Sequence, residues 1–140
     1  MDYVQGFKEI MEVSGHLALA TSADNKPNVR VMSHFYDADQ GIVYVSTFKQ
    51  SPKTAEFAAN DKIAFTTLPE AATGRLVRVT DATVKKSEHS VYDLEAGFTK
   101  NNPSFAFTLK EAGPMFEVYE FHFNEAIVTM GHMQMETITL

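Results

Sequence analysis

Two short polar turns in the first third of the chain do most to limit its possible folds. The segment ADNKP (residues 23–27) separates two β-type runs, HLALATS (residues 16–22) and NVRVMSHFY (residues 28–36). The segment DADQG (residues 37–41) then leads into IVYVSTF (residues 42–48). Clusters of Asp, Asn, Gly and Pro are typical of hairpin turns. Because a parallel crossover needs a dozen or more residues, the three runs are predicted to form an antiparallel meander.

The rest of the chain adds strands and a few helices. Three further β-type runs follow, at residues 62–68, 75–86 and 115–130. Helical spacing of apolar residues predicts one helix that stops at Ser14 and Gly15, a second that starts at Ser51, and two short ones within residues 87–113. Antiparallel strands with helices at their ends and edges indicate a mainly β (α+β) fold. We expect a small closed barrel of six to seven strands with peripheral helices.

Composition narrows the class of protein. The chain has 140 residues, of which 44% are hydrophobic, so we expect one domain spanning residues 1–140. The net charge of −6 argues against a general nucleic-acid binder, which needs a basic face. No cysteine is present, which excludes a disulfide framework, a thiolate metal site and a cysteine nucleophile. No apolar run has the length of a membrane span or a signal sequence, so we expect a soluble, cytoplasmic protein.

The start of the second helix carries two lysines, Lys49 and Lys53, around the pair Ser51-Pro52. Ser is a good N-cap and Pro a good first helical residue. The N-terminal end of a helix is partly positive, so a cation there is disfavoured by roughly 0.3–1 kcal/mol. Either the lysines point into water beside an ordinary helix start, or an anion such as phosphate binds to them and to the free backbone N–H groups.

Arg30 is a second candidate for that anion site. It lies between Val29 and Val31, and strand alternation places it on the face opposite the two valines. If the valines face the core, Arg30 faces solvent or a groove. A strand arginine is often only a solvated surface residue, so both interpretations remain open.

The order of these features resembles the pyridoxamine 5'-phosphate oxidase-related family of FMN-binding split β-barrels. The family pattern has a Pro, an Arg on the second strand, a third strand that ends in small hydroxyl residues, and a Ser-x-Lys helix start followed by Asn-Asp or Asn-Pro. The matching residues here are Pro27, Arg30, Ser46, Thr47, Ser51, Lys53, Asn60 and Asp61. The match covers roughly residues 13–68, and it implies a split β-barrel.

The resemblance also implies a cofactor site. FMN would lie at the two-fold interface of a homodimer, whose second chain completes each pocket. Arg30 and Lys53 would hold the FMN phosphate, with Ser51 and the helix start helping. The other implied contacts lie along the flavin ring or beside it: Val31, Met32 and Ser33 on one side, Ser46 and Thr47 on the other, and Lys49 and Gln50 nearby. No catalytic acid or base is assigned.

The chain departs from pyridoxamine phosphate oxidases proper, which bind the vitamin phosphate with a C-terminal Trp and Arg. Here no Trp occurs, and no Arg follows Arg78. We therefore expect an FMN-dependent oxidoreductase that passes electrons through FMN to a small acceptor, and not a vitamin B6 oxidase. The alternatives are a non-catalytic protein that stores or senses flavin, and the same fold with deazaflavin or haem. Deazaflavin has a longer anionic tail and should need more cations than this chain offers.

Two segments remain outside that interpretation. Residues 87–113 contain three phenylalanines, which either shape the pocket that faces the flavin or, as we expect for most of them, pack in the core. The C-terminal region contains residues whose side chains suit copper or haem, but their spacing matches no metal motif, and we expect no metal site. We expect the tail GHMQMETITL to pack on the dimer or to be a mobile end. The residues concerned are Phe98, Phe105 and Phe107 in the first segment and His122, Met130, His132, Met133 and Met135 in the second.

Overall fold

The computed structural model describes all 140 residues, Met1–Leu140. The strands are β1 (His16–Ala23), β2 (Lys26–Asp37), β3 (Ile42–Phe48), β4 (Lys62–Thr67), β5 (Leu76–Lys86), β6 (Phe116–Phe123), β7 (Glu125–Gly131) and β8 (Gln134–Thr139). The helices are α1 (Tyr3–Val13), α2 (Pro52–Ala59), α3 (Glu95–Lys100) and α4 (Phe105–Ala112). All four predicted helices are thus present. None of them is both long enough and apolar enough to cross a membrane.

All eight strands belong to one antiparallel sheet. Its strand order is β4-β1-β2-β3-β6-β5-β7-β8, and an additional pairing of β4 with β5 closes the first six strands into a barrel. β5 belongs both to the barrel and to the extension formed by β7 and β8. Its first residues pair with β7, and its last residues pair with β6. The predicted fold class, a mainly β antiparallel split barrel with peripheral helices, is confirmed.

The C-terminal tail contains a strand, β8, that the sequence did not reveal, and of its two expected states only the mobile end is contradicted. It is neither a mobile end nor a free segment, because β8 pairs with β7 in an antiparallel hairpin. Ile138 is the only buried residue of β8, so the strand shows no apolar alternation that would reveal it. Its backbone ladder, and not side-chain burial, holds it on the edge of the sheet.

The barrel interior is the main hydrophobic core. Side chains alternate between the two faces of a strand, and the inward-facing residues of β1, β3 and β5 are large and apolar. Leu17, Leu19, Val43, Val45, Val77 and Val79 are all fully buried there. α1 closes the core from one side with Phe7, Ile10 and Met11.

A second, smaller core lies outside the barrel under α3 and α4. The outward-facing residues Ile42 and Tyr44 of β3 pack with Phe98, Phe105 and Leu109 of the two helices. The expectation that most of the three phenylalanines are core residues is confirmed for Phe98 and Phe105. Phe107 lies on the opposite face of α4 and is 69% exposed.

The turn between β1 and β2 determines which residues of β2 share a face with the buried residues of β1. Asp24 and Asn25 both have positive φ angles, of 53° and 62°, as a two-residue type I′ hairpin turn requires. This turn pairs Leu19 with Arg30 and therefore places Arg30 on the inner side. Val29 and Val31, which are 67% and 58% exposed, face outward, so the valines do not face the core.

β2 and β3 separate at one end of the barrel. β2 pairs with β1 as far as Ser33, but it pairs with β3 only over residues 34–37. On its other edge, β3 pairs with β6 over residues 43–48. The first half of β2 therefore has a free edge, and α2, which follows β3 directly, reaches this opening through side-chain contacts.

Candidate functional site

The opening between β2 and α2 contains a network of charged and polar side chains around Arg30. The Arg30 side chain is only 18% exposed. Its Nη1 donates to Thr21 Oγ1 at 2.8 Å and to the Leu19 carbonyl at 3.5 Å, and its Nη2 forms an ion pair with Glu56 of α2. Arg30 is therefore neither a solvated surface residue nor free of a counter-ion.

Glu56 is the centre of this network. Besides Arg30, it accepts hydrogen bonds from Thr21 Oγ1 at 2.8 Å and from Asn28 Nδ2 at 3.1 Å. The hydrogen bonds from Asn28 and Thr21, together with the charge of Arg30, hold the pKa of Glu56 below its usual range. The carboxylate is therefore ionised at neutral pH.

Lys53 lies one turn before Glu56 on α2. Its pKa is lowered, first by burial and then by the positive charge of Arg30, while Glu56 acts in the opposite direction. Lys53 forms no ion pair with a carboxylate. The two predicted phosphate-binding cations thus lie close enough for the charge of Arg30 to lower the pKa of Lys53, and of the two only Arg30 is paired with a carboxylate.

Ser51 precedes α2, and Pro52 is the first helical residue, as predicted. The Ser51 side chain does not cap the helix; it lies 3.1 Å from Thr47 Oγ1, and Thr47 is buried at the end of β3. The first turn of α2 therefore has no side-chain cap, but Pro52 has no N–H and the Thr54 N–H donates to the Ser51 carbonyl at 3.0 Å. The Ser51 hydroxyl and the Lys53 N–H are the donors that this helix start can offer to an anion.

Lys49 and Gln50 form the turn between β3 and α2. Both are exposed, and Gln50 has a positive φ of 62°. The Lys49 N–H donates to the Met115 carbonyl at 2.9 Å, which anchors the turn to the segment before β6. No hydrogen bond or ion pair joins either side chain to Arg30 or Glu56.

The other predicted site residues divide between the two faces of their strands. Met32 is buried in the barrel core, whereas Val31 and Ser33 belong to the outer face of β2. Ser46 is half-buried on the face of β3 opposite Thr47. These residues therefore do not form one continuous lining.

The backbone of β2 offers a further set of hydrogen-bonding groups. His34 donates its N–H to Gly15 next to β1, so alternation directs the N–H and C=O groups of Val31 and Ser33 to the free edge. The Val29 N–H is bonded to the Asn28 side chain at 2.9 Å, as expected for a residue without a strand partner on that side.

The outer face beside this edge is apolar. Small residues of β1 and β4 leave a shallow groove of about 220 Å³, rimmed by Val29. Arg78 is the only charged residue that lines it. The groove includes Ala18, Ala20, Ala64, Phe65 and Val79.

Sequence reasoning missed three members of the network: Glu56, Thr21 and Asn28. One signal was present for each of them. Glu56 follows Lys53 by three residues, a spacing that places two side chains on the same helix face. Thr21 and Asn28 are paired in the β1–β2 hairpin, two positions from Arg30 on the same face.

The sequence model of the pyridoxamine 5'-phosphate oxidase-like family matches residues 10–134, which is most of the chain. This chain belongs to that family. No match was found among curated protein sequences.

Solved structures show the same fold at low sequence identity. A NimC/NimA family protein from Clostridium acetobutylicum is 21% identical, with a TM-score of 0.69 and coverage of 99% of this chain and 94% of its own. A second protein from the same organism is related to general stress protein 26, of the pyridoxinephosphate oxidase family. It is 16% identical, with a TM-score of 0.73 and coverage of 100% of this chain and 97% of its own. A haem-binding protein from Mycobacterium smegmatis is 12% identical, with a TM-score of 0.78 and coverage of 99% and 58%.

A second polar cluster lies on β6 and just after the end of β5, away from Arg30. Glu120 accepts a hydrogen bond from Ser87 at 2.8 Å and lies 2.8 Å from His122 Nε2. His132 and Met133 lie in the exposed turn before β8. No group of three His, Asp or Glu side chains converges in a way that could hold a metal ion.

Proposed function

We propose that this protein is a cytoplasmic FMN-binding flavoprotein that acts as an oxidoreductase and passes electrons through FMN to a small acceptor. The observation that carries the proposal is geometric: Arg30 is ion-paired with Glu56 of α2, and Lys53 lies one turn before Glu56 on the same helix, on the scaffold of the pyridoxamine 5'-phosphate oxidase-like family. Two cations at a water-accessible helix start favour a phosphate monoester as ligand.

The donors at the opening suit the two parts of FMN. Arg30, Lys53, Ser51 and the uncapped first turn of α2 would hold the phosphate. The free backbone groups of Val31 and Ser33 would serve the polar edge of the flavin ring. FMN supplies the redox chemistry when bound, and the protein supplies binding, orientation and electrostatics. Thr47, Ser46, Lys49 and Gln50 would complete the surroundings.

A second copy of the chain is proposed as the partner. Val29, Val31 and the alanine-lined groove present an apolar outer face next to the proposed ring site. Exposed apolar patches of this kind mark interaction surfaces. A homodimer that covers this face would enclose the flavin between two chains.

The substrate of the proposed oxidoreductase is not a vitamin B6 phosphate. The chain has no Trp at all, and it has no Arg after Arg78. It therefore lacks the C-terminal Trp and Arg with which pyridoxamine phosphate oxidases proper bind the vitamin phosphate. The acceptor is therefore proposed to be another small molecule, and the flavin is reduced by a nicotinamide or another donor.

Haem is the second candidate cofactor, because the haem-binding protein from Mycobacterium smegmatis shares this fold. With a flavin that is only stored or sensed, the protein would be a binding protein and not an enzyme. Deazaflavin is less favoured, since its longer anionic tail should need more cations than Arg30, Lys49 and Lys53, and Arg30 is already paired with Glu56.

The experiment that tests the proposal is a visible absorption spectrum of the purified protein. Protein that is free of cofactor is then titrated with FMN and with haem. We expect a flavin spectrum and one FMN per chain. Slow reduction of bound FMN by all ordinary donors would favour the storage or sensing role. A protein that takes up haem but not FMN would overturn the flavin proposal.

A further inference from the structure

Glu56 gives the proposed phosphate site an unusual charge balance. Two cations, Arg30 and Lys53, share the site with this one carboxylate, so its net charge is one positive unit and not two. A phosphate monoester carries about −1.5 to −2 charges at neutral pH. The site as built therefore does not neutralise the phosphate of FMN.

Most N–H groups of the Arg30 guanidinium already donate hydrogen bonds within the protein. Nη1 donates to Thr21 and to the Leu19 carbonyl, and Nη2 is paired with Glu56. A phosphate that approaches the Nη2 edge of the guanidinium meets the carboxylate already there. Two anions on one guanidinium repel each other, and the repulsion is strongest where burial reduces screening.

This inference rests on the proposed FMN function. We infer that Glu56 competes with the ligand phosphate for Arg30 and so limits the affinity for phosphate-bearing flavins. Glu56 is then a specificity-determining residue: it weakens binding of a dianionic ligand and leaves binding of an uncharged flavin unchanged. Selection by a repulsive group is a general way to tune specificity.

If Glu56 lost its ion pair with Arg30, its carboxylate would still have hydrogen-bond partners. Thr21 donates to its Oε1 and Asn28 to its Oε2, and both donors are neutral. A carboxylate that loses its bond to Arg30 keeps these two hydrogen bonds. The competition therefore costs part of the binding energy of the phosphate but does not block its binding.

The test is Glu56→Gln, which removes the charge and keeps one of the two oxygen acceptors, while the other becomes an amide NH2 group. FMN and riboflavin are titrated against wild type, Glu56→Gln and a control, Glu136→Gln, which removes the same charge from an exposed position of β8. We expect Glu56→Gln to bind FMN about ten-fold more tightly, comparable to regaining one charge-assisted hydrogen bond. Riboflavin affinity and the control should not change.

A double variant shows whether the effect passes through Arg30. In an Arg30→Ala background, the gain from Glu56→Gln should shrink, since interacting residues are not additive. If Glu56→Gln does not fold, Glu56→Ala replaces it, with the same expected direction for FMN. Equal or weaker FMN binding by the folded Glu56 variant, or an equal gain for riboflavin, would overturn the inference while FMN binding by wild type still stood. If neither wild type nor the variant bound FMN, the proposed function would fail together with the inference.

Discussion

Arg30 and Lys53 are the residues on which the proposed anion site depends. Each is expected to make charge-assisted hydrogen bonds to a phosphate, worth roughly 1.5–3 kcal/mol. Arg30→Ala or Lys53→Ala should therefore weaken FMN binding by about ten- to a hundred-fold, measured by fluorescence titration. Lys49→Ala should weaken it less, because Lys49 lies in the exposed turn before α2.

Riboflavin is the internal control for these variants, because it has the flavin ring without the phosphate. Its affinity should barely change in any of the three. Titrations at two salt concentrations add a second check, since a charged contact weakens as salt rises. Equal losses for FMN and riboflavin would show that the substitutions disturb the fold or the ring site, and the phosphate assignment would then be abandoned.

His34 makes stability depend on pH. It is fully buried, its Nε2 lies 2.8 Å from Ser14 Oγ, and its Nδ1 has no hydrogen-bond partner. Burial, with a smaller contribution from the charge of His16, lowers the pKa of His34 from 6.5 to about 3. The unfolded chain therefore takes up a proton below pH 6.5 that the folded protein does not bind.

We expect the free energy of unfolding to be constant with respect to His34 above pH 6.5 and to fall as the pH drops towards 3. Between pH 7 and pH 5 the loss should be on the order of 2 kcal/mol, measured by urea unfolding. His34→Gln should flatten this dependence, while His16→Gln, at an exposed position, should not. A wild-type stability that stays unchanged between these two pH values would contradict the assignment.

At the scale of elements, α3 and α4 are expected to be held on the barrel by aromatic packing. Phe98 is 1% exposed and contacts Phe35 and Phe105, with ring centroids 4.8 and 5.3 Å away. Phe98→Ala should lower the free energy of unfolding by about 3–5 kcal/mol, because it leaves a cavity. The same substitution at exposed Phe107 should change it by less than about 0.5 kcal/mol.

Urea unfolding of the two variants is a matched comparison, since both lose the same side chain from the same pair of helices. Similar losses at the two positions would mean that Phe107 is covered in solution, for example by a partner chain. A small loss at Phe98 would show that α3 and α4 contribute little to stability.

At the scale of the whole molecule, we expect a homodimer through the outer face that carries Val29 and the alanine-lined groove. Val29→Asp should shift the mass measured by light scattering from dimer to monomer, because it places an unpaired charge in the interface. Stability of the single chain should change little, since Val29 is exposed on the chain itself. Met133→Asp, in the exposed turn before β8, should remain a dimer. A wild type that binds FMN as a monomer would exclude the proposed interface.

Turn residues and helix-start residues act on their sequence neighbours, so they made a large part of the fold predictable from the sequence. Short turns rich in Asp, Asn and Gly require antiparallel neighbours, and Ser51 with Pro52 marks the start of a helix, as α2 shows. The strand β8 could not be found in this way, because it has one buried residue and is held by backbone hydrogen bonds that any sequence can make.

The candidate site was predictable only in part. The sequence alone determined the antiparallel order of β1, β2 and β3, the start of α2, and the fact that Arg30 and the two valines lie on opposite faces, because turn chemistry, capping and alternation are local. Only the tertiary structure decided that Arg30 is the inward residue and that Glu56 is its counter-ion. Alternation states which side chains share a face, but closure of the barrel through the β4–β5 pairing decides which face is inside. The ion pair joins residues 26 positions apart on a strand and a helix, so it exists only once both have packed.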